Sequence, residues 1–151
     1  MSLHIVLYQP LIPANTGNIG RTCVATGTRL HLIEPLGFRL NEKSIKRAGI
    51  DYWEHLDVTR YINFEDFLEK NPGAKIYMAT TKGQHVYTEV NFEPDCYIMF
   101  GKESIYGQSM VHLDDKKRII LPKFTGATQG DRLVLVRNKN YLSIHISILI
   151  L

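Results

Sequence analysis

The chain opens on a short apolar run, H-I-V-L-Y at 4–8, that stops at Pro10 and Pro13. Apolar residues without polar alternation, closed by prolines, are the pattern of a buried strand running into a rigid loop. The period then changes. N-T-G-N at 15–18 offers helix-start chemistry, Ile19, Cys23 and Val24 fall on one helical face, and Gly27 marks the end. A second apolar run at 30–33 closes at E-P-L-G. Strand, helix and strand joined by short connections indicate a parallel α/β sheet.

The same reading carries to residue 121. The charged segment N-E-K-S-I-K-R-A-G at 41–49 is expected to be one short helix, and 56–61 a strand. Asn63 should cap the helix F-E-D-F-L-E-K, which N-P-G at 71–73 stops. Further strands are expected at 75–80, 96–100 and 118–121. The predicted fold class is therefore α/β, a parallel sheet with strands near 3–8, 30–34, 75–80, 96–100 and 118–121 packed between helices. Near the end the period is two, with Ile144, Ile146, Ile148 and Ile150 alternating as in a strand. No repeat, low-complexity tract or linker interrupts the chain, so 1–151 is expected to form one domain.

Composition narrows the class. Of 151 residues, 44% are hydrophobic and 22% charged, an ordinary globular balance. The formal net charge of +3 suits an anionic partner without demanding one. The histidines at 4, 31, 55, 85, 112 and 145 stand apart in sequence and only Cys23 and Cys96 could supply thiolates, so no metal site is expected. Those two cysteines read as reduced, buried small hydrophobes of a cytoplasmic protein. The first residues lack a basic export signal, and the apolar end, Y-L-S-I-H-I-S-I-L-I-L, falls short of the ~20 residues that span a bilayer. No membrane anchor is expected. A nicotinamide-binding fold is disfavoured, because no G-x-G-x-x-G follows the first strand.

Two motifs are specific enough to suggest chemistry. P-x-N-T-G-N-x-x-R occupies 13–21, and R-A-G-x-D-Y occupies 47–52. Around them stand I-V-L-Y-Q-P at 5–10, L-H-L-I-E-P-L-G-F at 30–38, A-T-T-K-G at 79–83 and F-G-K-E at 100–103. In this order and spacing, over roughly 2–122, they resemble the SPOUT class of RNA methyltransferases, and within it the enzymes that methylate the wobble-nucleotide ribose of tRNA. The resemblance implies a C-terminal trefoil knot, a rare exception to the rule that chains do not thread loops. It also implies S-adenosylmethionine as cofactor, the tRNA anticodon loop as partner, and a homodimer with the active site across its interface. Ala79, Gly101 and Leu121 fall where the family contacts the cofactor, largely through main chain. Asn15, Arg21 and Glu103 fall at catalytic positions.

Methyl transfer from a sulfonium to a ribose 2′-OH is an in-line displacement, so the protein must align the reactants and manage the departing proton. A guanidinium keeps its proton in a protein. Arg21 therefore reads as a bidentate grip on the phosphate beside the target ribose, the alternative being a surface ion pair. Glu103 could accept a hydrogen bond or the proton, or be simply solvated. Lys43, Lys46 and Arg47 form a basic cluster suited to RNA phosphates, or else a solvated helix face. Tyr52 and Trp53 could stack on an unpaired base, or belong to the core. Gly83 and Gly101 follow strands where a ligand would approach the backbone, or make turns only.

The resemblance ends after Pro122. The family continues with a loop of the type R-S-x-N-L-S and an amphipathic helix; this chain reads K-F-T-G-A-T-Q-G-D-R-L-V-L-V-R-N-K-N and then the alternating isoleucines. Codons for 130–136 can be chosen so that a two-base shift spells Arg-Ser-Leu-Ser-Leu-Ser, so a frameshift is one reading of the tail and a divergent, strand-like ending the other. Two further functional readings stay open: a related SPOUT enzyme acting on ribosomal RNA, and a catalytically inactive RNA-binding protein.

Overall fold

The computed structural model describes residues 3–41, 51–79 and 90–101, and the backbone path alone at 85–86, 118–120, 132–134 and 145–147. Strand β1 (His4–Tyr8) leads into helix α1 (Pro13–Thr26), which returns to β2 (Arg29–Ile33). The helix starts earlier than N-T-G-N suggests. Pro13 occupies its first turn, and Ile12 is an N-cap without a side-chain hydrogen bond. Proline suits that place because its fixed φ is already helical and its missing N–H would have had no partner there. Asn15 and Thr16 thus lie inside the first turn rather than capping it. Gly27 ends the helix as expected, in the left-handed region at φ 65°, its N–H directed at the carbonyls of Cys23 and Val24.

A short 3-10 helix (Asp51–His55) precedes β3 (Val58–Tyr61), α2 (Phe64–Lys70) and β4 (Ile76–Ala79). The N-cap of α2 is the expected one: the Asn63 side-chain oxygen accepts from the Asp66 N–H at 2.8 Å. Then come β5 (His85–Val86), β6 (Tyr97–Phe100) and β7 (Arg118–Ile120). The seven strands lie in the order β3-β2-β1-β6-β4-β7-β5, and each pairing is parallel. The five strands expected at 3–8, 30–34, 75–80, 96–100 and 118–121 are present within a residue or so of those bounds. The short β5 and the 3-10 helix were not legible, and the helix expected over 41–49 lies outside the described residues but for its first.

A parallel sheet is covered on both faces, which is why its central strands, I-V-L-Y of β1 and Y-I-M-F of β6, read as apolar runs rather than alternating. On one face Ile5, Leu7, Leu30, Leu32, Ile98 and Phe100 meet Ile19 and Cys23 of α1. On the other, Val6, Ile33, Met78 and Met99 meet Phe67 of α2 and Tyr61. In the tail, β8 (Arg132–Val134) and β9 (His145–Ser147) form a separate antiparallel pair, and the β9 backbone runs beside α1. The period-two pattern did yield a strand there, shorter than the alternating run. No described helix is long and apolar enough to cross a membrane.

Candidate active site

Parallel α/β sheets bind ligands beyond the carboxyl ends of their strands, where main-chain groups have no further rung to pair with. Here β6 lies between β1 and β4, and β7 flanks β4. The register sets Leu7 level with Phe100, and Ala79 level with both Phe100 and Ile119. Ala79 therefore ends β4 and Gly101 directly follows β6, its neighbour, so two residues widely separated in sequence are brought to one sheet edge.

Ala79 is half-buried against the first core cluster. Gly101 is exposed, and a Cβ built on it would meet no atom within 4 Å. Its backbone is not left-handed either. Neither packing among the described residues nor backbone conformation thus demands a glycine. A bare backbone in open space at a strand end fits a cofactor held by close main-chain approach. Leu121 and Glu103 themselves lie outside the described residues, as do Gly83 and the basic cluster Lys43, Lys46 and Arg47.

Helix α1 begins at the same edge, just after β1. Asn15 is buried in its first turn and 2% exposed, whereas Arg21 is exposed, so the helix separates the two catalytic candidates onto different faces. Arg21 does not make the surface ion pair that its type alone would suggest, at least among the described residues. Its guanidinium carbon instead lies 4.8 Å from the centroid of the Tyr52 ring. The Tyr52 hydroxyl donates to the carbonyl of Gly17, and burial raises its pKa above the ordinary phenol value. Trp53 packs against the first core cluster. Of the two aromatics read as base-stacking or core, Trp53 is partly buried at the edge of the core and Tyr52 is engaged by α1.

The 3-10 helix docks where α1 is bare. A Cβ on Gly20 would come 3.2 Å from Leu56 Cδ2 and 3.4 Å from Tyr52 Cε2. Two further residues escaped the sequence reading. Gln9, at the end of β1, has φ 50°, a conformation costly for a residue with a Cβ and often found beside ligand sites. Its N–H is held by the Ile33 carbonyl at 2.9 Å. Thr16 is 1% exposed, and its hydroxyl finds no hydrogen-bond partner among the described residues. Gln9 stood within I-V-L-Y-Q-P and Thr16 within P-x-N-T-G-N-x-x-R, but neither carried an assigned role. Among the described residues no group of three or more His, Cys, Asp or Glu side chains could hold a metal ion.

The parallel sheet with α1 packed on one face and α2 on the other defines an α/β protein. The pattern of the SpoU rRNA methylase family matches residues 2–122, and the chain belongs to that family. The match ends at the residue where the sequence resemblance ends. A tRNA (cytidine(34)-2′-O)-methyltransferase of Aeromonas hydrophila is 53% identical over 102 residues, covering 68% of this chain and 65% of the relative. A Listeria monocytogenes relative is 50% identical over 107 residues, covering 69% of this chain; the chain spans 63% of that relative's length. A solved structure concerning 2-OH methylation of C/U34 on tRNA superposes with a TM-score of 0.70 at 40% identity, covering 84% of this chain and 83% of the other.

Proposed function

We propose that this protein methylates the ribose 2′-OH of the wobble nucleotide, position 34, of tRNA, using S-adenosylmethionine. One observation carries the reading: Ala79 and Gly101 end neighbouring strands at the sheet edge where the helix bearing P-x-N-T-G-N-x-x-R begins. A relative 53% identical over 102 residues bears the name of this activity.

Main-chain groups at Ala79, Gly101 and Leu121 would hold the cofactor. When bound, S-adenosylmethionine supplies an electrophilic methyl group on a sulfonium. Arg21, with its fixed positive charge, grips the phosphate beside the target ribose and orients the hydroxyl. Glu103 accepts the hydrogen bond or proton of that hydroxyl, and Asn15 orders the start of α1 against the site. Lys43, Lys46 and Arg47 bind the phosphates of the anticodon loop. The protein works as a cytoplasmic homodimer of one domain over 1–151, with the C-terminal segment threaded as a trefoil knot.

The test is transfer of labelled methyl from S-adenosylmethionine to tRNA transcripts and to ribosomal RNA fragments, with the product mapped. Methylation confined to position 34 is expected. Methylation of ribosomal RNA alone would move the chain to the related enzymes. One observation favours a second reading, an inactive RNA-binding protein: the family match stops at 122, and the sequence beyond it carries no serine–asparagine loop of the family's type. That reading requires RNA binding without measurable cofactor affinity. If replacing the tail with the frame-shifted sequence restores cofactor binding, the tail is the cause.

A further inference from the structure

We propose that Tyr52 is a positioning residue for Arg21: its ring, anchored to α1, is the platform that holds the guanidinium in the pose that grips RNA phosphate. The proposal rests on the reading of Arg21 as the RNA-gripping group of a tRNA ribose methyltransferase.

The device is built from one strip of helix. Gly17 and Arg21 stand four residues apart on α1, hence one above the other on the same face, with Gly20 beside them. Gly17 supplies a carbonyl that accepts from the Tyr52 hydroxyl. Gly20 supplies a gap, since a Cβ there would stand 3.4 Å from Tyr52 Cε2. Arg21 supplies the cation, 4.8 Å from the ring centroid, inside the range of about 6 Å in which a cation is drawn to a ring face. The hydroxyl is tethered and the ring lies against bare helix, so the platform itself is held.

The consequence for RNA follows from guanidinium geometry. Stacking covers one flat face and leaves the N–H edge open, and the edge is what makes a bidentate pair with phosphate. No described carboxylate takes that edge, although Asp51 and Glu54 flank Tyr52 on the 3-10 helix. An exposed arginine that is already oriented gives up less rotamer freedom when it grips.

Two measurements on the full chain test this. The first is side-chain NMR of Arg21, which involves no RNA. In the wild type its Nε–H should be ordered and its δ protons shifted upfield by the ring, and in Tyr52→Leu both signatures should vanish. A wild-type Arg21 as mobile and unshifted as a free surface arginine overturns the proposal. The second is affinity for an anticodon stem-loop. Tyr52→Leu should weaken it roughly two- to fivefold, the size of an exposed cation–π contact, with the salt dependence unchanged because the charge remains. Tyr52→Phe, which keeps the ring, should rescue most of the loss. Combined with Arg21→Ala, Tyr52→Leu should add nothing. If the two losses add in full, Tyr52 serves only to dock the 3-10 helix and the proposal fails. Should Tyr52→Leu not fold, the wild-type Arg21 signals and the Tyr52→Phe affinity decide the matter. An ordered Arg21 in a protein that methylates no tRNA would instead sink the functional reading and leave the positioning intact.

Discussion

The Nδ1 atom of His4 lies 2.9 Å from Nε2 of His31, so two buried imidazoles on adjacent strands share one hydrogen bond. The other nitrogen of His31 meets the Tyr61 hydroxyl at 2.8 Å. Tyr61 accepts in turn from the Asn71 amide at 3.1 Å, and Tyr97 donates to the Asn71 oxygen at 3.2 Å. Either direction along the chain, from Tyr61 through His31 to His4 or the reverse, satisfies these contacts with one proton on each ring. Both rings are then neutral.

Burial, then the neighbouring His4 and Arg29, push the pKa of His31 down from 6.5 to about 4. Between those values the unfolded chain binds more protons than the folded one. Stability should therefore hold above pH 6.5 and fall as pH drops toward 4, by about 2 kcal/mol at pH 5 from His31. Denaturant titrations at pH 7 and pH 5 read this directly. The difference should shrink in His31→Gln; an identical pH dependence in that variant would refute the assignment.

Gly37 is required by close approach. A Cβ there would fall 2.7 Å from Leu11 Cα and 3.0 Å from the Leu11 carbonyl oxygen, both backbone atoms that cannot swing aside. Gly37→Ala should cost about 1–3 kcal/mol through forced displacement of the loop before α1. Thermal unfolding checks it, and an unshifted midpoint would show that the loop yields freely.

Burial pushes the thiol of Cys23 up to about 12 and that of Cys96 up to about 11. Neither should react with a thiol reagent in the native protein, and both should react on unfolding. Rapid labelling of either thiol under native conditions would contradict the packing around it.

Arg21→Ala should abolish methyl transfer while S-adenosylmethionine affinity and the melting temperature stay near wild type, because the side chain is exposed and its proposed role is on the RNA side. Single-turnover transfer and cofactor calorimetry separate the two effects. Near-normal turnover on saturating tRNA would remove Arg21 from the mechanism.

Neutralising Lys46 and Arg47 together should weaken tRNA binding and lower the slope of log affinity against log salt by about 1.4, at roughly 0.7 per phosphate contact on single-stranded RNA. Cofactor affinity should not change. An unaltered slope would return the pair to an ordinary solvated surface.

Local pattern sufficed for much of the fold. The apolar runs at 4–8 and 30–33, Gly27 after α1 and Asn63 before α2 each act through neighbours a few residues away, and such signals are written in the chain itself. The candidate site residues Asn15, Arg21, Ala79 and Gly101 came instead from the family resemblance, which no local period supplies. What only the tertiary structure decided was which distant groups meet. Strand order set Ala79 beside Phe100, the pairing of β1 with β2 joined His4 to His31 across 27 positions, and the docking of a 3-10 helix gave Arg21 the ring of Tyr52. Contacts of this kind depend on how elements pack, which involves the whole core at once. No window of sequence contains both partners, so no local period could reveal them.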